Sequence, residues 1–184
     1  MGQTAYLFLA DGFEMIEALT VVDLLRRADI PARTVSIMGK KEVTSSHSVT
    51  VMADILYDEA DFDAASMLIL PGGSQGTINL EAYAPLMARL DEWNEAGKRI
   101  AAICAAPSIL GHRGFLKGRK ACSYPSFESH LEGAEVMHQP AVIDGNIVTG
   151  RGMGAAVPFA LAVLEKLQGA DAAQKMAAQI VYEA

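Results

Sequence analysis

The chain has 184 residues, 51% of them hydrophobic and 20% charged, with a formal net charge of −7 at pH 7. That apolar content excludes a disordered chain, and the length suits one domain, over 1–184, with a substantial core. The acidic balance, with no basic run beyond the pairs Arg26-Arg27 and Lys40-Lys41, argues against a nucleic-acid or anionic-membrane surface as the main partner.

The segment "TAYLFLA" (4–10) is short, apolar and followed by Asp11-Gly12, which predicts a buried strand ending in a turn. Residues 14–28 carry a helical pattern rich in Leu and Met. "ARTVSI" (32–37), introduced by Pro31, predicts a second strand, and "SVTVMADI" (48–55) a strand or hairpin arm. "SMLILPGG" (66–73) is a strand stopped by Pro71-Gly72-Gly73. A helix is expected from about Glu81 to Ala96, ended by Gly97, with Pro85 suited to a first turn. The strand "RIAAI" (99–103) follows. "AVIDGNIVTG" (141–150) places apolar arms around Asp144-Gly145-Asn146, a hairpin signal. Two helices, about 155–167 and 171–182, close the chain on either side of Gly169.

Strands alternating with helices of this length predict an α/β fold, a mainly parallel sheet with helices on both faces. In such sheets ligands bind beyond the carboxyl ends of the strands. Three segments would meet there: the Asp11-Gly12 turn with the start of its helix, the Gly72-Gly73 loop, and the corner at Cys104.

Two cysteines, Cys104 and Cys122, are too few for a disulfide framework, and neither belongs to a CxxC pair. The opening "MGQTAYLFLADGF" lacks the basic start and long apolar core of a signal peptide, and Tyr6 stands where a myristoylation signal needs Ser or Thr. No stretch approaches the ~20 apolar residues that span a bilayer. The expectation is a soluble, cytoplasmic protein of a reducing compartment.

"Ala102-Ile103-Cys104-Ala105-Ala106" has the shape of a nucleophile elbow, in which small residues two before and two after the nucleophile permit a tight turn. Pro107 suits the first turn of a following helix, whose positive end favours a thiolate and lowers cysteine pKa values to roughly 3.5–7.5. The competing reading is an inert thiol at the end of a buried strand, because free cysteine packs as a small hydrophobe. Cys122, in "RKACSYP", has no elbow around it and reads as core.

Glu17 lies among Met15, Ile16, Ala18 and Leu19. It either lines a solvated helix edge with Glu14 or points from the first turns of its helix toward the strand ends. In the second case burial raises its pKa, and it is placed to hydrogen-bond sulfur or to move a proton at a substrate carbon.

Other signals carry less. "GRGMGA" (150–155) matches a dinucleotide fingerprint but lacks the second strand of a βαβ unit. "PGGSQG" is no phosphate-binding Walker loop; its glycines suit backbone N–H groups brought near a ligand. The four histidines, His47, His112, His130 and His138, form no HExxH, so neither a metal nor another cofactor is expected. His47 and His130 stand as candidates for a Cys–His pair.

"FLADGFEMIEALTVVDLLRRADI", "LILPGG", "AAICAAPSIL" and "GNIVTGRGMGAAVPFALAVLEKL" occur in the order and spacing of the ThiJ/PfpI superfamily. They are most similar to its branch of small deglycase-like proteins that includes the Parkinson-disease protein DJ-1. The resemblance runs from about Ala5 to Leu167. It implies a flavodoxin-like three-layer sandwich, a homodimer and a reactive cysteine on a strained turn. By the same resemblance Cys104 matches the family's nucleophile and Glu17 its partner carboxyl. Gly72 and Gly73 match the loop whose N–H groups face the sulfur, and the Ala105 N–H would serve an oxyanion or a sulfinate. Two positions depart from the pattern: Tyr124, in "CSYPS", replaces a histidine of many relatives, and His47, in "SSHSV", an arginine of close ones. A phenol of pKa about 10 is a poor base, which disfavours Cys–His peptidase chemistry. The implied function is cofactor-free action on methylglyoxal, glyoxal or glycation adducts; the alternatives are a redox sensor or chaperone working through Cys104 oxidation and, last, a peptidase or amidase.

Overall fold

A computed structural model of the protein describes residues 4–183. In chain order the first half runs β1 (Thr4–Leu9), α1 (Met15–Arg27), β2 (Ala32–Ser36), β3 (Glu42–Thr44), β4 (Thr50–Met52), β5 (Ile55–Leu56), β6 (Ala65–Leu70), α2 (Ser74–Ala82) and α3 (Ala84–Glu95). The second half runs β7 (Arg99–Ile103), α4 (Pro107–His112), β8 (Lys120–Ala121), β9 (Glu135–Val136), β10 (Ala141–Asp144), β11 (Ile147–Gly150), α5 (Ala156–Gln168) and α6 (Ala170–Gln179).

Seven strands form one sheet in the order β10-β11-β7-β6-β1-β2-β5. All neighbours pair parallel except the β10–β11 hairpin, which turns at Gly145 as the Asp-Gly-Asn signal requires. The alternation of side chains along a strand explains the layers. On β1, Tyr6 and Phe8 join a core with Leu86, Leu90 and Trp93 of α3 and Ile109 and Leu110 of α4. Leu7 and Leu9 point the other way and pack with Val21 and Leu25 of α1 and Phe159 and Val163 of α5. Both faces of the sheet are therefore covered, giving the flavodoxin-like three-layer α/β sandwich, and this is why the strands read as continuous apolar runs.

Two details correct the sequence reading. The helix expected over 81–96 is two helices broken at Tyr83, with Pro85 in the first turn of the second. Residues 48–55 hold β4, which forms a hairpin with β3, and the start of β5, which pairs with β2. None of the described helices is long and apolar enough to cross a membrane.

Candidate active site

The sheet order reverses between β1 and β6, since β1 continues to β2 on one side while β6 lies on the other. Such a switch point opens a crevice at the carboxyl ends of the strands. The loops after β1, β6 and β7 meet there. The Glu14 N–H donates to the Gly72 carbonyl at 2.9 Å, and the Gly76 N–H to the Gly12 carbonyl at 3.2 Å, locking the first two loops together. The β3–β4 hairpin is tied on by the Gly12 N–H to Thr44 O at 2.7 Å and the Thr44 N–H to Asp11 Oδ1 at 2.8 Å.

Cys104 follows the last residue of β7 with φ at +66°, a left-handed conformation uncommon outside glycine and costing of order 1–3 kcal/mol. Its main chain is held on both sides: its N–H donates to Gly150 O at 2.9 Å, and its carbonyl accepts from the Tyr124 N–H at 2.8 Å. The elbow is therefore real, and it aims a half-buried thiol into the crevice. Gly150, part of the would-be dinucleotide fingerprint, serves packing instead. A Cβ there would stand 2.7 Å from the Phe159 ring.

Glu17, in the first turn of α1, is completely buried. Its Oε2 accepts the Gly72 N–H at 2.9 Å. Its Oε1 is buried without a hydrogen-bond partner, and the Cys104 thiol acts on the carboxyl to hold its pKa down. Of the two readings of Glu17, the solvated edge is thus excluded. Gly72 is glycine for lack of room: a Cβ would collide with Glu17 Oε2 and stand 2.5 Å from the Cys104 Cβ.

Burial pushes the Glu17 carboxyl up from 4.5 to about 7, against the pull of Cys104 and the Gly72 N–H. Burial, and then the charge and hydrogen bonding of Glu17, push the Cys104 thiol up from 9.0 to about 12, against the backbone N–H groups of Gly73 and Ala105. Groups so strongly coupled titrate as a pair. The first proton leaves near pH 7 and the second only near 12. Through the range between, one proton and one negative charge are shared by sulfur and carboxyl. The expected pull of the following helix toward a thiolate is opposed here by burial and by Glu17. That helix, α4, has only six residues, and burial beside a carboxyl outweighs it.

The crevice has a volume of about 320 Å³. Tyr124 and His47 both line it, as does Gly73. His47 is 75% exposed, with Nδ1 at 3.0 Å from Ser46 Oγ and 3.7 Å from Glu14 Oε2. His130 does not belong to the site; its Nδ1 lies 3.0 Å from His112 Nε2, whose Nδ1 meets Glu81 at 2.7 Å. Cys122 is fully buried against Thr149, with its thiol pushed up by burial to about 11. Sequence reasoning missed the remaining wall: Glu14, Ser46, Ser74, Ser126, Phe127 and Met153. Ser126 and Phe127 belong to the 3₁₀ segment Pro125–His130, which no motif in the sequence marked. No group of three His, Cys, Asp or Glu side chains among the described residues could hold a metal.

The chain is similar in sequence and fold to known proteins. The Drosophila melanogaster protein dj-1beta is 34% identical over 179 residues, 96% of this chain and 96% of its own length. A deglycase of Thermococcus kodakarensis is 34% identical over 79% of this chain and 87% of its own. The Arabidopsis thaliana DJ-1 homolog B is 35% identical over 89% of this chain, which spans only 37% of that relative's length. Among solved structures, the oxidized DJ-1 of Toxoplasma gondii superposes with a TM-score of 0.93 at 33% identity, each chain fully covered. Residues 3–166 match the model of the DJ-1/PfpI family, and the chain belongs to that family.

Proposed function

We propose that the protein is a cofactor-free enzyme that converts reactive dicarbonyls, methylglyoxal or glyoxal, or their adducts on amines and thiols, with Cys104 as nucleophile and Glu17 as proton carrier. The observation that carries this reading is the burial of Glu17 against Cys104, with a carboxyl pKa near 7 where a group that both takes and gives protons works best. The cavity of about 320 Å³ suits a small carbonyl compound.

Sulfur adds to the aldehyde carbon of methylglyoxal, and the aldehyde oxygen takes the shared proton, giving a hemithioacetal. Glu17, now ionised, removes the hydrogen from that carbon as a proton, and an enediolate forms, whose hydroxyl proton passes to the neighbouring oxygen. Return of the proton to the neighbouring carbon gives a thioester of lactate. Water then hydrolyses the thioester, releasing lactate and restoring the thiol and the starting proton inventory. The Gly73 and Ala105 N–H groups that face the sulfur are placed to steady negative charge near it. The deglycase name of the Thermococcus relative supports the same chemistry on glycated groups.

A second reading, redox sensing, is favoured by the oxidized state in which the Toxoplasma relative was solved. There peroxide transfers one oxygen to Cys104 sulfur and leaves as water. Exposed apolar side chains on α1 (Ile16, Leu19) and the β3–β4 hairpin (Val49, Met52) support pairing with a second copy of the chain.

The deciding experiment is lactate formation from methylglyoxal without glutathione, by wild type and Cys104→Ser in parallel. Turnover lost in the variant supports the enzyme. Equal turnover, or none in either, overturns it. In the last case selective oxygen addition at Cys104 over Cys122, read by mass spectrometry, would support the sensor.

A further inference from the structure

We infer a second ligand site, for a small phosphate monoester, at the opposite end of the sheet from Cys104. A cavity of about 660 Å³, twice the volume of the one at Cys104, opens between the amino-terminal ends of β6 and β7 and the β10–β11 turn. Lys98, Arg99 and Lys166 line it, with Asp63 the one carboxylate. In a chain of net charge −7, three cations lining one cavity are a local inversion of the protein's field.

None of these three cations forms an ion pair among the described residues. Arg99 and Lys166 are half-buried, where an unpaired charge is costly and an arriving anion relieves the cost. The Lys98 ammonium rests 4.9 Å from the centre of the Trp93 ring, which also lines the cavity. Ser66, on the same wall, keeps a buried hydroxyl without a hydrogen-bond partner.

Three cations match the charge and the acceptor oxygens of a phosphoryl group better than a single carboxylate. The volume exceeds what inorganic phosphate fills and suits an organic body attached to it. The site stands apart from the proposed reaction, since ligands that react in such sheets sit at the carboxyl ends of the strands. Its contribution would be binding, with β6 and β7 each carrying one end to either site.

Calorimetric titration with glycerol 3-phosphate tests this, with inorganic phosphate, glycerol and acetate as further probes. The fluorescence of Trp93, the single tryptophan, reads the location. Saturable binding of glycerol 3-phosphate is expected, weakened about tenfold or more by Arg99→Gln and by Lys166→Gln and unchanged by Lys40→Gln on another surface. These exposed or half-buried changes leave both cores intact, and melting temperatures check that. Absence of saturable binding overturns the site. So does binding that neither substitution weakens, or acetate or glycerol binding as tightly as the phosphate ester.

Discussion

The Gly72 N–H and Glu17 Oε2, 55 residues apart in sequence, are joined by a buried hydrogen bond of 2.9 Å. That bond fixes one carboxyl oxygen, leaves the other, Oε1, without a partner, and holds the carboxyl where it acts on the Cys104 thiol. A side chain at 72 would displace both partners. Gly72→Ala is therefore expected to destabilise the fold by about 1–3 kcal/mol, the usual cost of overpacking, and to remove turnover even where the protein stays folded. Urea denaturation and the lactate assay read the two effects separately.

The Glu17 carboxyl carries a pH signature of stability. Its pKa is about 7 in the folded state and 4.5 when free, so the folded protein binds the extra proton between those values. Stability then falls as pH rises from about 4.5 to 7 and levels off until about pH 9, where the raised thiols of Cys104 and Cys122 begin a second fall. At about 1.4 kcal/mol per pH unit, the loss amounts to about 3 kcal/mol. Glu17→Gln should flatten this slope and be the more stable protein at pH 8. Unfolding at pH 5 and pH 8 for both proteins checks it.

The rate should follow the first proton of the pair. Turnover of methylglyoxal is expected to rise through about pH 7, well below the ordinary thiol value of 9.0, and then to stay level. A profile that climbs through 9 instead would show a thiol acting without its carboxyl.

Tyr124 fills the position where many relatives were expected to carry histidine, yet its contribution here is main-chain. Its N–H holds the Cys104 carbonyl at 2.8 Å, and its ring is 49% exposed. Tyr124→Phe keeps that bond, so turnover should change by less than about threefold, as for most exposed substitutions. Steady-state kinetics on the variant settle the point, and a loss above a hundredfold would assign the phenol a proton-transfer role.

Much of the fold was legible because it follows from periodicity. β1, β7 and the β10–β11 hairpin lie where apolar runs and the Asp-Gly-Asn turn put them. The helix α2 was not legible: "SQGTINLEA" buries only Gly76, Thr77 and Leu80, too few apolar side chains for a helical pattern. Its Gly76 is there because a Cβ would stand 2.8 Å from the Phe13 backbone, a contact no local reading reveals. The site shows the same division. Cys104, Glu17, Gly72 and Gly73 sit in motifs, whereas Ser46, Ser126, Phe127 and Met153 reach the crevice from a turn and two short 3₁₀ segments whose positions depend on the whole sheet. The proton state of Cys104 follows the same division, since the sequence shows the helix start and a candidate carboxyl at Glu17 but not how deeply the two are buried together.

The most direct test of the shared proton is a double-mutant cycle on lactate formation with Cys104→Ser, Glu17→Gln and the two combined. Residues that act as one unit lose almost everything with either member. The double variant is therefore expected to be no slower than the slower single one. Losses that multiply would mean independent contributions and would contradict the pair.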